Sequence, residues 1–374
     1  MRTLARTDPS IVGRWWWTVD RWTLGALGLL LGFGVVLAMA ASPAVAERLG
    51  ADSLHFVRRH LTLIPLAAAL VLGVSLLTPV AVRRLALLGF LGSLVLLVAT
   101  LVFGPEIKGA QRWLPLLGFS LQPSEFVKPT FAVVAAWLFA SARLSAGFPG
   151  RTLAAGAFVL VVGLLLLQPD VGQAAVISSV WLGQFFLAGL PWWVVIGAGV
   201  AGVGGLIGAY FALPHVTSRI DRFLDPTAGD NYQISRSLEA FTGGGLFGRG
   251  PGEGTVKNVL PDAHSDFVFA VAGEELGLVA CLVIVLLFGF VVLRGFARAL
   301  QEENLFVLLA CAGLLMQFGL QALVNMASTL HLMPTKGMTL PLISYGGSSL
   351  LATSLGLGMV LALTRRRPGA GGAA

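Results

Sequence analysis

Asp266 stands in the stretch His264-Ser265-Asp266-Phe267, where a polar loop runs into a long apolar segment. Hydrocarbon does not solvate charge, so a carboxylate at such a boundary is costly unless it is used or paired. A carboxylate there can serve as a general base. Partial loss of water strengthens its hold on a proton, and a neighbouring lysine or arginine weakens it. His264 and Ser265 immediately precede it and are candidates for the same site. Glu274 and Glu275 follow two to three helical turns later. Adjacent helix positions point about 100° apart, so at most one of the two shares the sector of Asp266, and Glu274 is the nearer. At least one is expected to be a buried partner for backbone or a basic side chain.

Cations cluster elsewhere in the chain. Lys108, Arg112 and Lys128 can together line a site for phosphate or pyrophosphate, or they can be ordinary snorkelling side chains at helix ends. Glu125 and Lys128 are three residues apart and share a helix face, where they can pair. Ser124 is the expected N-cap there, with Glu125 favoured at the positive helix end, and Pro129 is expected to limit the helix. Lys128 must in any case face the bundle or a wet cavity. Asp170 lies in the short connection Gln168-Pro169-Asp170-Val171-Gly172, as a turn former or as a wall of a polar opening. The stretch from Met333 to Ser349 holds Lys336, two prolines, Ser344 and a Gly346-Gly347 pair, which argues for broken helix buried by protein or lining a cavity. Tight packing through small residues is the alternative.

The elements that must position these groups are membrane spans. The chain is 56% hydrophobic and 11% charged, against roughly 25% charged in soluble domains. Hydropathy gives ten candidate spans, about 23–41, 61–79, 85–103, 124–141, 152–168, 173–189, 192–213, 267–293, 304–327 and 339–363. The expected class is an all-α polytopic membrane protein with ten transmembrane helices. Its organisation is an N-terminal tail (1–22), helices 1 to 7 (23–213), a large extracytoplasmic loop between helices 7 and 8 (214–266), helices 8 to 10 (267–364) and a C-terminal tail (365–374). The first apolar run is long enough to span, so no cleavable signal is expected. An even span count puts both termini on one side. If that side is cytoplasmic, it carries 13 basic and 4 acidic residues, while the remainder carries 12 basic and 14 acidic. The positive-inside rule therefore supports cytoplasmic termini. The basicity reads as topology and anionic-lipid contact rather than nucleic-acid binding. Trp15, Trp16, Trp17 and Trp22 form an interfacial anchor or amphipathic segment before the first span. Cys281 and Cys311 fall in apolar spans and read as packing residues.

The loop before the eighth span is about fifty residues long, a length that is usually functional or disordered. A helix-like stretch, 231–241, argues for order. It precedes Gly243-Gly244-Gly245 and the run Gly248-Arg249-Gly250-Pro251-Gly252-Glu253-Gly254. Backbone N–H groups in such a run can cradle phosphate, or the glycines can simply supply turns. Neither a preceding strand nor a following Gly-Lys-Ser/Thr is present, which excludes the common nucleotide-binding loops.

Five motifs then converge: QPSEFVK (122–128), QPDVG (168–172), GRGPGEG (248–254), LPDAHSDFVFAVAGEELG (260–277) and PTKGMTLPLISYGGSS (334–349). In order and spacing across nearly the whole chain, they resemble the SEDS family (shape, elongation, division and sporulation). The PTKG and TLPLISYGGSS pair is more similar to its division branch than to its elongation branch. The resemblance implies a peptidoglycan glycosyltransferase in the bacterial cytoplasmic (inner) membrane. It would polymerise lipid II on the outer face, alongside a class B penicillin-binding protein (a transpeptidase) and other divisome membrane proteins. It gives Asp266 the essential acidic role and matches Arg112 and Lys128 to the family's basic residues. It adds Tyr232, Gln233, Glu253 and Lys336 to a polar cavity in which Glu125, Asp170, His264, Ser265 and Ser344 are further candidates. Arg236 departs from the glutamine common at its place. No cofactor is called for with certainty, and a divalent cation at the pyrophosphate is left open. Intramembrane charge and broken helices also suit a lipid II flippase, and a non-catalytic scaffold that recruits a transpeptidase is the third alternative.

Overall fold

The computed structural model describes residues 10–48, 50, 52–107, 110–116, 119–145, 147–189, 192–225, 232–334 and 337–366. A short amphipathic helix, α1 (Ile11–Thr18), is capped by the Ser10 hydroxyl, which accepts from the Gly13 N–H at 3.0 Å. Then come α2 (Arg21–Arg48), α3 (His55–Ser75), α4 (Pro79–Phe103), α5 (Pro123–Leu144), α6 (Gly150–Leu167), α7 (Val171–Leu187) and α8 (Trp192–Ala212). The loop contributes α9 (Pro214–Leu224), α10 (Tyr232–Gly244) and a single 3-10 turn, Val256–Asn258; α11 (Val268–Ala299), α12 (Leu305–Thr329) and α13 (Gly347–Leu363) complete the chain. The one strand pairing among the described residues outside isolated bridges is a small antiparallel hairpin, β1 (Leu114–Leu116) against β2 (Phe119–Leu121).

Eight of these helices are long and apolar enough to cross a membrane, and α7 and α13 are shorter apolar helices. The molecule is a multi-pass membrane protein. Two helices sit at its centre. In the most apolar stretches of α5 and α12, 78% and 72% of residues are buried, against 39% at most in the other six long spans. The corresponding stretch of α8 has none buried, so α8 is peripheral. Small residues, Ala132, Ala135, Ala136 and Ala140 on α5 and Ala310 and Ala312 on α12, are buried in that centre and allow close helix approach.

Local chemistry explains most boundaries. Thr78 caps α4 through the Ala81 N–H, with Pro79 in the first turn where its missing donor is not needed. Asn304 caps α12 through the N–H groups of Phe306 and Val307. The expected Ser124 cap is not formed. Pro123 takes the first helical position, Gln122 becomes the capping residue, and the buried Ser124 hydroxyl lacks a partner among the described residues. Pro129 does not limit the helix either, since α5 continues to Leu144. The tenth expected span also starts late: residues 337–346 are irregular, and α13 begins at Gly347.

The most consequential departure from regular helix lies in α11. Gly277 there has φ 79° and ψ −177°, a true break. The loop fills it. Arg249 and Gly250 donate N–H to the carbonyls of Glu274 and Glu275 at 2.9 and 3.0 Å. Leu278 and Val279 donate to Gly245 and Leu246 at 3.0 and 3.1 Å. Backbone groups freed by the break are thus satisfied by protein, as membrane depth requires. The approach is close enough that a Cβ at Gly248, whose φ is +81°, would lie 2.1 Å from the Glu275 carbonyl oxygen. Beneath the loop, Ala240, Val256, Leu260 and Ala263 pack with Ala41 and Val45 of α2 and Phe267, Ala270 and Val271 at the head of α11.

Gly248→Ala should therefore destabilise the protein by about 1–3 kcal/mol, read as a lower unfolding midpoint in detergent and faster proteolysis of the loop. Gly204→Ala on α8, where nothing lies within 4 Å, should leave both unchanged. Equal behaviour of the two variants would show that the loop does not seal the break.

Candidate functional site

The site is organised by a polar stripe on α12. Gln317, Gln321, Asn325 and Ser328 recur at intervals of four, four and three residues, so they share one face of an otherwise apolar helix, and all are buried. Gln321 accepts from the Lys128 ammonium at 2.8 Å. It donates to the Thr339 carbonyl and the Ser349 hydroxyl, both at 3.2 Å. One turn on, Asn325 donates to the carbonyls of Asp266 and Met338 at 2.9 and 2.6 Å. One helix face thus holds both the buried lysine and the segment carrying the candidate base.

Lys128 has a side chain only 1% exposed and pairs with Glu125 at 2.9 Å. Glu125 also accepts from the Gln173 amide at 2.6 Å, which ties α5 to α7. Gln173 sits in the first turn of α7, whose N-cap is Asp170. Arg112 lies against Asp170 at 3.9 Å and donates to the carbonyls of Gln168 and Pro169. Burial pushes the Asp170 carboxyl above the ordinary range, and Arg112 pulls it back. The Arg112 side chain is 23% exposed. Of the expected cationic lining, then, Arg112 is the accessible end, Lys128 is enclosed among protein partners, and Lys108 lies outside the described residues.

Three consecutive carbonyls fix the segment 264–266. His264 accepts from the Tyr345 N–H at 2.9 Å, Ser265 from the Ser344 hydroxyl at 2.5 Å, and Asp266 from Asn325. Ser344 is itself held by the Leu340 N–H at 2.7 Å. Asp266 is half-buried at the head of α11. One of its carboxylate oxygens lies 3.4 Å from where a Cβ on Gly337 would project. The His264 ring packs against Phe56 and Tyr345, with centroids 4.8 and 5.3 Å away. Burial pushes it down to about 4, so it is neutral at pH 7.

A residue the sequence reading passed over stands within electrostatic range of these groups. Arg219 on α9 feels Asp266 and Asp170 as opposite charges and Arg112 and Arg222 as like ones. Burial first, then the like charges, bring it below the usual arginine range. The signal was there in the helical spacing of Arg219 and Arg222 on an amphipathic segment. The α12 stripe was legible in the same way, from its amide residues recurring in an apolar span.

The glycine run takes the other of its two roles. Glu274 accepts from the N–H groups of Thr255 and Val256, each at 2.7 Å, and of Lys257 at 2.9 Å. Glu275 accepts from the Gly252 N–H at 3.1 Å and pairs with the Lys257 ammonium. Within the run itself, the Gly252 N–H goes to a carboxylate and those of Gly248, Arg249, Gly250 and Glu253 go to backbone carbonyls, so these amides are turned to the protein's own acceptors, and both glutamates are buried. Glu253 is exposed and Gln233 half-buried on the loop, and no hydrogen bond among the described residues ties either side chain to Asp266 or Lys128. Lys336 lies outside the described residues. Arg236 pairs with Glu239 on the surface of α10. Among the described residues, no group of three His, Cys, Asp or Glu side chains is placed to hold a metal ion.

Comparison with known proteins gives a consistent picture. The profile of the FtsW, RodA and SpoVE family, described as "Cell cycle protein", matches residues 21–368. A probable peptidoglycan glycosyltransferase FtsW of Caulobacter vibrioides is 47% identical over 370 residues, covering 99% of this chain and 95% of that one. Its counterpart in Coxiella burnetii is 38% identical, covering 92% and 96%. Among solved structures, a chain from a peptidoglycan synthase complex described as coordinating polymerization and crosslinking aligns with TM-score 0.76 and 30% identity, over 92% of this chain and 97% of its own. The rod shape determining protein RodA of Thermus thermophilus aligns with TM-score 0.69 and 30% identity, over 93% and 97%.

Lys128→Met should leave the Glu125 carboxylate buried without its counter-charge, at a cost of about 3–5 kcal/mol. The pair Lys128→Met with Glu125→Gln should recover most of that loss. Unfolding in detergent measures both, and a double variant no more stable than the single one would show that the pair is not what holds α5 in place.

Proposed function

This chain belongs to the FtsW, RodA and SpoVE family of cell cycle proteins, and from that membership and its geometry we infer how it acts as a peptidoglycan glycosyltransferase. The substrate is lipid II, and the role is septal wall synthesis in division, a reading that the FtsW names of the relatives described above support. Ten helices cross the inner membrane, counting α7 and α13 with the eight longer spans, and both termini are cytoplasmic. The loop carrying α9 and α10 is extracytoplasmic, so the reaction takes place at the outer face.

Asp266 is the general base. It takes the proton from the 4-hydroxyl of the acceptor sugar as that oxygen attacks the donor's anomeric carbon and the undecaprenyl pyrophosphate departs. Arg112 meets the developing pyrophosphate charge, and Arg219 stands within electrostatic reach of both Asp266 and Arg112. Lys128, Glu125, Gln173 and Asp170 are positioning residues that hold Arg112 and α12 in register. Ser265, Ser344 and His264 fix the backbone beneath the base, Gln233 and Glu253 belong to the rim of the loop that meets the sugar and peptide, and Lys336 is a further substrate-binding candidate from the sequence. A transpeptidase works beside it on the same strand. The peptidoglycan synthase complex among its structural relatives supports that pairing.

One observation carries this reading: three successive carbonyls of 264–266 are anchored to the bundle, so the carboxylate at the head of α11 is held by its backbone. Such a residue keeps its position while its side chain exchanges a proton. Asp266→Asn changes neither size nor the anchoring carbonyl. Purified with its transpeptidase partner and given lipid II, it should form glycan strands at least about 100-fold more slowly, with an unchanged unfolding midpoint. Strand synthesis at the normal rate would remove Asp266 from the mechanism. Transbilayer movement of lipid II in liposomes without polymer, by the unsubstituted protein, would replace the enzyme with a transporter.

A further inference from the structure

At the end of the bundle opposite Asp266, the junction of α1 and α2, the last turn of α11 and the chain after α13 enclose a cleft of about 280 Å³. Its lining includes four arginines, Arg21, Arg294, Arg298 and Arg366, and a single carboxylate, Asp20. Asp20 is 2% exposed and already engaged. It accepts from Arg294 through both oxygens, at 2.7 and 3.0 Å, and pairs with Arg298 at 2.9 Å. One negative charge cannot balance two guanidinium groups, and Arg21 and Arg366 have no acidic partner among the described residues. Arg21 instead lies over the rings of Trp16 and Trp17, at 5.7 and 5.2 Å. The cleft therefore carries a net charge of +3 from its lining, in a recess where several forked donors converge.

Its surroundings set the depth of the ligand. Trp22 on the cleft wall is 72% exposed and Trp17 is 41% exposed, while Ile11 and Val12 of α1 project outward beside it. Indole rings and a short amphipathic helix mark the boundary between headgroups and acyl chains. A free anion would not need that apolar rim, but a lipid would. We propose that this cleft binds the phosphodiester of an anionic phospholipid in the leaflet on the side of the termini, with Arg21 and Arg366 closing on the phosphate that Arg294 and Arg298, oriented by Asp20, receive from below. The Arg366 N–H already reaches the Thr18 carbonyl at 3.2 Å. The bound headgroup would thus fasten α1, the foot of α11 and the C-terminal segment together.

The test uses the full-length protein in detergent, titrated with phosphatidylglycerol, phosphatidylcholine or inorganic phosphate, and read by native mass spectrometry and thermal unfolding. Phosphatidylglycerol should bind and raise the unfolding midpoint, and the other two should not. The variant Arg21→Gln with Arg366→Gln leaves the Asp20 pairs intact and should weaken phosphatidylglycerol binding about tenfold or more. Substituting lysine at both positions should restore most of the binding, because the charge remains. Equal binding of the two phospholipids, or undiminished binding by the glutamine variant, would overturn the proposal. A shift of equal size with millimolar inorganic phosphate would overturn the lipid assignment. Loss of strand synthesis in Asp266→Asn leaves this site untouched, so the two readings fail separately.

Discussion

A lysine ammonium enclosed in an apolar bundle is the constraint from which the rest follows. Lys128 cannot reach water, and in a medium of low polarity its charge is tolerable only with a counter-charge and further acceptors at hydrogen-bond distance. Glu125 supplies the first and Gln321 the second. Meeting both requirements fixes α5 against α12, and Glu125 draws in α7 through Gln173. Gln321 reaches onward to Thr339 and Ser349, so the irregular chain before α13 and the start of α13 itself are tied to the same point. Asp170 and Arg112 lie one and two contacts away from this network, and Asp266 is held by Asn325, one turn along the same face of α12. Their relative positions are set by a buried charge that does not itself touch bulk solvent.

The carboxylates near the head of α11 divide the work by location. Glu274 and Glu275 face inward and accept N–H groups from the glycine-rich loop. With the backbone bonds across the Gly277 break, they fasten the loop to the helix. Asp266, less than three turns earlier, is held by its carbonyl. Glycine at 244, 248 and 277 is what lets two backbones meet closely enough for this arrangement, since a Cβ at any of the three would fall within 2.3 Å of a backbone atom. Arg219 of α9, on the same loop, stands within electrostatic reach of Asp266 and Arg112.

Much of this was written in the sequence. Apolar runs gave the helices, the charge boundary singled out Asp266, the three-residue spacing gave the Glu125–Lys128 pair, and the motif set gave the family. These are local signals, carried by residues within a turn or two of each other or by composition over a span. Even so, some local signals misled. A serine before an acidic residue suggested a cap, but the neighbouring proline takes the first helical position and moves the cap two residues back, to Gln122. The span expected from residue 339 begins only at Gly347, and the irregular chain before it, where the prolines and the Gly346-Gly347 pair argued for a break, gives its carbonyls to Gln321 and Asn325.

Only the tertiary structure could decide which buried groups meet. Lys128 and Gln321 are 193 residues apart in the chain, and the Ser344 hydroxyl is 79 residues from the carbonyl it holds. Whether the glycine run met a ligand or the protein's own glutamates, and whether Lys128 or Arg112 stayed accessible, likewise depended on partners brought in by packing. The sequence alone determined the apolar, helical character of the segments and the chemistry of their polar exceptions, because hydrophobicity and helical period are properties of neighbouring residues. The pairing of those exceptions belongs to the folded chain. A buried polar group is satisfied by whichever distant atom comes within about 3 Å, and only three-dimensional packing settles which atom that is.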